Sequence, residues 1–268
     1  MVFGGGGGGK GMPPLFDGWF EQSRYLEKSM VSAVKASAKV GRPVEVLFPC
    51  VPNLDEVAFG TPLNQAFGKS VARDLGMPEY KPGSKIKTYL VQFSNVYWAK
   101  RLAEGLGGNV WALCTDGLKK DDVTKPGRMK FASINKPESY ADVKKGDTVI
   151  VVQPGVAEQW RACEKRFTEQ KLIFLNAPIS TTYDLGGPLQ SMEQAYYLKR
   201  VSKGWAFRAY PAPWTAYLEK PDSSVEVLCE YKDGKPSLRE LSGSVREESL
   251  RRYAIFNDRF APGFGGRL

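Results

Sequence analysis

The chain has 268 residues, 38 Lys or Arg against 29 Asp or Glu for a net charge of +9, and no histidine. The missing imidazole excludes a Ser-His-Asp triad, a Cys-His pair and any histidine metal ligand, so acid–base work near neutral pH falls to a perturbed Glu, Asp, Lys, Cys or Tyr. At 42% apolar and 25% charged residues the composition is globular, neither disordered nor fibrous, and at this length it supports a full core.

The chain lacks an apolar run of about 18 residues, so no membrane-spanning helix is expected. The N-terminus carries neither a basic-then-apolar leader nor an Arg/Ser-rich presequence, which puts any address signal outside this numbering or removes it. Cys50, Cys114, Cys163 and Cys229 are dispersed and form no CxxC, so buried free thiols are the expectation and no metal site is. The positive balance could suit an anionic partner, but a solvated basic surface is the simpler and preferred reading.

Residues 1–13 form a tail with six consecutive glycines at 4–9. It is not a phosphate loop, because no strand precedes it and no Gly-Lys-Ser/Thr follows. From Phe16 to Ala38 apolar residues recur every three or four positions, which predicts an amphipathic helix ended by Gly41 and Pro43. Val44–Phe48 reads as a first strand, Thr61–Leu75 as a helix and Thr88–Phe93 (TYLVQF) as a second strand. Asn95–Leu106 reads as a helix with Asn95 as its N-cap, and Gly105-Leu106-Gly107-Gly108 as that helix's C-terminal stop.

Val110–Thr115 is expected to be a strand, followed by a charged surface insertion at 116–146 with a short strand at Arg128–Phe131. Then come a strand at Thr148–Gln153, a helix at Ala157–Glu169 and a strand at Leu172–Asn176. Gly186-Gly187-Pro188 marks a turn, and Ser191–Val201 reads as a helix. Three antiparallel strands follow at Trp205–Tyr210, Thr215–Glu219 and Val225–Tyr231. A last helix spans Val245–Phe256, with Glu247 and Glu248 in its first turn, and 257–268 is a tail. Continuous apolar strands alternating with helices predict a single α/β domain over 14–256. Its Rossmann-like mixed sheet is mainly parallel in the N-terminal two thirds and extended by an antiparallel meander.

In open parallel sheets ligands bind beyond the carboxyl ends of the strands. That rule makes Asn95, Thr115, Asp116, Gln153 and Asn176 a candidate crevice, against the simpler reading that strands end at such residues anyway. Cys163, beside Lys165 and Arg166, reads as a structural thiol because no histidine base is available to it. Candidate interaction residues are the aromatic stripe Phe16, Trp19 and Phe20, suited to a membrane surface or a partner protein, and the basic insertion residues Lys119, Lys120, Arg128 and Lys130. A second basic group, Lys199, Arg200, Lys203 and Arg208, lies among aromatics, but no RNA-binding signature accompanies it and nucleic acid is not expected.

Four short motifs in a fixed order carry a resemblance: Arg42–Pro49 (RPVEVLFP), Val151–Pro154 (VVQP), Leu172–Asn176 (LIFLN) and Tyr210–Trp214 (YPAPW). Together they resemble the plant, algal and cyanobacterial domain of unknown function found in a chloroplast factor for photosystem II accumulation and appended to a chloroplast adenylate kinase. The resemblance implies a chloroplast protein in the stroma or on the stromal face of the thylakoid. It implies photosystem or light-harvesting subunits as partners, peripheral membrane contact, and no catalytic residues to carry over. The expectation is a non-enzymatic auxiliary or assembly protein with no cofactor; the alternative is a small-molecule or nucleotide-binding α/β enzyme using the crevice.

Overall fold

The computed structural model describes residues 25–49, 85–115, 129–177, 185–189, 191–221 and 224–253. Among them, α1 (Tyr25–Ser37) runs through a short 3-10 turn into β1 (Val44–Leu47). There follow α2 (Lys85–Leu106), β2 (Val110–Cys114), β3 (Met129–Ser133), a 3-10 turn at Pro137–Tyr140, and β4 (Thr148–Val152). Then come α3 (Ala157–Arg166), β5 (Lys171–Leu175), β6 (Glu193–Val201), β7 (Gly204–Ala209), β8 (Trp214–Glu219), β9 (Val225–Tyr231) and α4 (Leu238–Tyr253).

The nine strands form one sheet in the order β3-β2-β4-β5-β1-β6-β7-β8-β9. The six from β3 to β6 are parallel, and β6 to β9 are an antiparallel meander. The architecture is therefore the mixed α/β sheet expected from the sequence. Because side chains alternate along a strand, each central strand feeds two cores. Val46, Ile150 and Ile173 face α1 and α2, where Met30, Val34, Trp98 and Leu102 meet them. Val149, Val151 and Phe174 face the other way, against Trp160 and Cys163 of α3. On that same second face Leu47, Tyr197, Trp214 and Leu218 pack under Leu241 and Val245 of α4. The result is three layers, helix on sheet on helix.

Two expectations are overturned. Thr88–Phe93 is not a strand but the first part of the 22-residue helix α2, which also places Asn95 in the helix interior and not at its N-cap. A six-residue apolar run carries too little periodicity to separate the two states, and the buried Val96, Ala99 and Ala103 continue at helical spacing. Conversely, Ser191–Val201 is not a helix. Its core is β6, parallel to β1 and antiparallel to β7. A strand buried on both faces shows no alternation, and Ala195–Leu198 is buried throughout.

The last helix also begins earlier than expected, at Leu238, because Ser237 caps it: Glu240 N donates to Ser237 Oγ at 3.0 Å. Glu247 and Glu248 therefore sit late in α4, where Glu248 pairs with Arg251 and Arg252 at 2.7 Å. The α2 stop is as expected, with Gly107 N bonded to Ala103 O at 3.0 Å. The helix expected from Phe16 is described only as Tyr25–Ser37, and the one at Thr61–Leu75 lies outside the described residues. Within the insertion, β3 forms the sheet's edge beside β2, and Ala132, Ile134 and Tyr140 enter the second core.

Candidate functional site

The carboxyl ends of β1 and β5 lie side by side, and the next described elements after them pack on opposite faces. The next described element after β1 is α2, on the first face, whereas after β5 Leu185 and Leu189 pack on the second. This is the topological position at which open α/β sheets place their crevice.

Asn176, the first residue after β5, occupies that point. Its backbone is left-handed, φ 49, a conformation Asn tolerates better than most residues. Its N–H donates to Val46 O at 2.8 Å, its Oδ1 accepts from Phe48 N at 2.8 Å, and its Nδ2 donates to Asn95 Oδ1 at 2.7 Å. One side chain thus joins the ends of β5 and β1 to the middle of α2. Asn95 is fully buried and Asn176 nearly so.

Gln153, the first residue after β4, repeats the left-handed turn at φ 49, and its N–H donates to Leu175 O at 2.9 Å. Thr115 is half-buried at the end of β2, the strand beyond β4. Asp116 lies outside the described residues. Of the five crevice residues, then, the structure brings Asn95 and Asn176 into direct contact and sets Gln153 and Thr115 along the same edge. Beyond Gln153 the chain enters α3, where Gln159 accepts from Gly155 N at 2.7 Å and donates to Asn135 Oδ1 at 3.3 Å.

The interaction residues Phe16, Trp19, Phe20, Lys119, Lys120 and Arg128 lie outside the described residues. Lys130 is exposed on β3 and holds its ammonium 4.9 Å from the Trp111 ring centroid, a cation–π contact. In the second basic group, Arg200 pairs with Glu219 at 3.0 Å and Arg208 with Glu193 at 2.8 Å. Tyr196, Tyr197, Trp205 and Phe207 around them are buried core residues. No free stacking surface is formed by those rings.

The residue that sequence reasoning missed is Glu45. It sits in the middle of β1, 1% exposed, between Phe174 of β5 and Gln194 of β6. Its Oε2 accepts from Gly187 N at 3.0 Å, and the Gln194 amide hydrogen-bonds the same carboxyl. Its Oε1 is buried without a hydrogen-bond partner among the described residues. Burial pushes the carboxyl up to about 7; the Gly187 and Gln194 bonds and the more distant Lys235 and Lys199 charges only partly oppose this. The available signal was a charged residue inside a strand read as apolar on both faces.

Cys163 is buried, and desolvation pushes its thiol up to about 12, which makes it a core residue with no nucleophilic character. Among the described residues no group of three His, Cys, Asp or Glu side chains could hold a metal ion, and no helix is long and apolar enough to cross a membrane. The described edge residues offer neutral amides and hydroxyls, largely bonded to one another. Their chemistry is that of a joint, suited to fixing two strands and a helix in register.

A family model described as Domain of unknown function (DUF1995) matches residues 31–242. No curated protein and no solved structure matches the chain.

Proposed function

Starting from the family to which the chain belongs, that of the domain of unknown function DUF1995, we propose a non-enzymatic auxiliary or assembly protein that acts on a photosystem complex from the stromal side of the thylakoid. The reading is supported by the ordered motifs at 42–49, 151–154, 172–176 and 210–214, which resemble those of a chloroplast photosystem II accumulation factor and of the extra domain of a chloroplast adenylate kinase. The single observation that carries the non-enzymatic part is the Asn176–Asn95–Phe48 joint. At the place where a catalytic crevice belongs, the polar side chain is spent on holding the fold together.

In this reading the rigid three-layer body presents surface to a partner. The net charge of +9 favours an anionic one, through electrostatics that act on encounter more than on affinity. Fractionation of thylakoids with co-purification tests it. The protein is expected to travel with photosystem subunits and to be released by raised salt. Recovery only as a free soluble monomer overturns it. The competing reading, a ligand-binding α/β enzyme, requires that a nucleotide or phosphorylated metabolite raise the melting temperature and that Gln153→Ala abolish the rise.

A further inference from the structure

The segment 185–189 crosses the second face of the sheet directly above Glu45. It can lie that low only because it carries Gly186 and Gly187. A Cβ at Gly186, where φ is +126, would sit 2.6 Å from Gln194 Nε2 and 3.3 Å from Glu45 Oε2. A Cβ at Gly187 would overlap the Trp160 ring, which is itself stacked on Phe174 at 4.2 Å between centroids. The strap is therefore clamped between a buried carboxyl and a fully buried, stacked aromatic pair. Leu185 on one side and Leu189 on the other anchor it in the two apolar clusters of that face.

Beneath it the carboxyl has one satisfied oxygen and one orphan. The neighbouring elements supply little charge to balance an ionised form. Phe174 of β5 and Trp160 of α3 are aromatic, the strap offers backbone only, and β6 offers the neutral Gln194. The charged groups that act on it are Lys199 of β6 and Lys235 before α4, whose attraction only partly opposes the effect of burial. A neutral acid leaves one hydroxyl unsatisfied, whereas a carboxylate leaves a buried unpaired charge, which is far costlier.

We infer that Glu45 and the Leu185–Leu189 strap form a proton-operated latch: the strap seats on the protonated carboxyl and lifts to let water reach the ionised one. Lifting the strap gives up the Gly187 N–H bond to Oε2, which itself favours the carboxylate, so it is hydration of the buried charge that drives the opening. The second face, between α3 and α4, is thereby the part of the molecule whose surface changes with pH.

Amide hydrogen exchange on the full-length protein, corrected for the intrinsic pH dependence, tests the latch. In the wild type the opening of 186–189 is expected to rise about tenfold between about pH 6 and pH 8, following the ionised fraction of the closed form. In Glu45→Gln it is expected to stay flat. A pH-dependent opening that persists in Glu45→Gln, or equal protection of the wild type at both pH values, overturns the inference. Should the variant not fold, carboxyl carbon NMR and strap exchange of the wild type decide together. A Glu45 signal titrating between about pH 6 and pH 8 together with strap exchange supports the latch, and one titrating below about pH 5 overturns it.

Discussion

Asn176 and Asn95, 81 residues apart in sequence, meet amide to amide inside the protein, with Asn176 Nδ2 2.7 Å from Asn95 Oδ1. The other arm of the Asn176 amide stands in for a backbone partner to Phe48 N. Replacement by Ala removes the hydrogen bond that each of Phe48 N and Asn95 Oδ1 makes to this side chain, each loss worth about 1–3 kcal/mol, and puts a residue without a compensating side-chain bond at φ 49. Asn176→Ala should lower unfolding stability by about 2–5 kcal/mol in urea titrations. A double-mutant cycle with Asn95→Ala should return a coupling of about 0.5–3 kcal/mol. Additive losses would mean that the two amides do not act as one joint.

The Glu45 carboxyl gives stability a pH dependence of unusual sign. Its value is about 7 in the folded state against 4.5 unfolded, so between those values the folded protein holds more of the proton. Stability therefore falls as pH rises from about 4.5, and the loss is complete just above pH 7. The shift corresponds to a loss on the order of 3 kcal/mol from this one group. Glu45→Gln keeps an acceptor for Gly187 N and removes the charge, so it should be more stable than wild type at pH 8 and nearly equal to it at pH 4.5. Chemical denaturation at the two pH values checks this; a variant no more stable at pH 8 would place the carboxyl in contact with water.

Much of this site was legible in the sequence, for different reasons at different residues. Gln153 and Asn176 stand out because each follows a continuous apolar strand, and polar residues that can take a left-handed turn end such strands. Asn95 was picked out for the wrong job, as a cap, because Thr88–Phe93 carries β-branched and aromatic residues typical of strands. Its burial inside α2 follows from packing against α1 and the sheet, which no local pattern reports. β6 was misread for the complementary reason: burial on both faces erases the two-residue alternation that marks a strand. Glu45 reads as an ordinary residue of the Val44–Phe48 strand, because its meaning depends on a strap about 140 residues downstream, joined to it by the Gly187 bond.

Cys163 lies three residues from the stacked Trp160, on the face of α3 turned to the sheet. With its thiol pushed up to about 12 by burial, only about one molecule in ten thousand carries a thiolate at pH 8. Native alkylation at that pH should leave Cys163 unmodified while the half-exposed Cys229 reacts. Both should label fully in urea. Peptide mass mapping after a short pulse reads the difference directly. Rapid native labelling of Cys163 would show that α3 opens from the sheet on that timescale, in conflict with the buried stacking of Trp160 on Phe174.

Gly187→Ala attacks the strap from its other side. The added methyl would overlap the Trp160 ring and stand 2.8 Å from Met192 Cε. Met192 has a flexible side chain and can move, but Trp160 is fully buried and stacked, so the strap backbone must yield. Overpacking of this kind costs about 1–3 kcal/mol. It also breaks the Gly187–Glu45 bond and admits water to the carboxyl, which lowers its proton affinity toward the unfolded value. Two consequences separate this from general damage. Glu45 should titrate closer to 4.5 in the variant, and the fall in stability between pH 4.5 and pH 7 should shrink. A variant that loses stability equally at every pH would mean that the strap moved without hydrating the carboxyl.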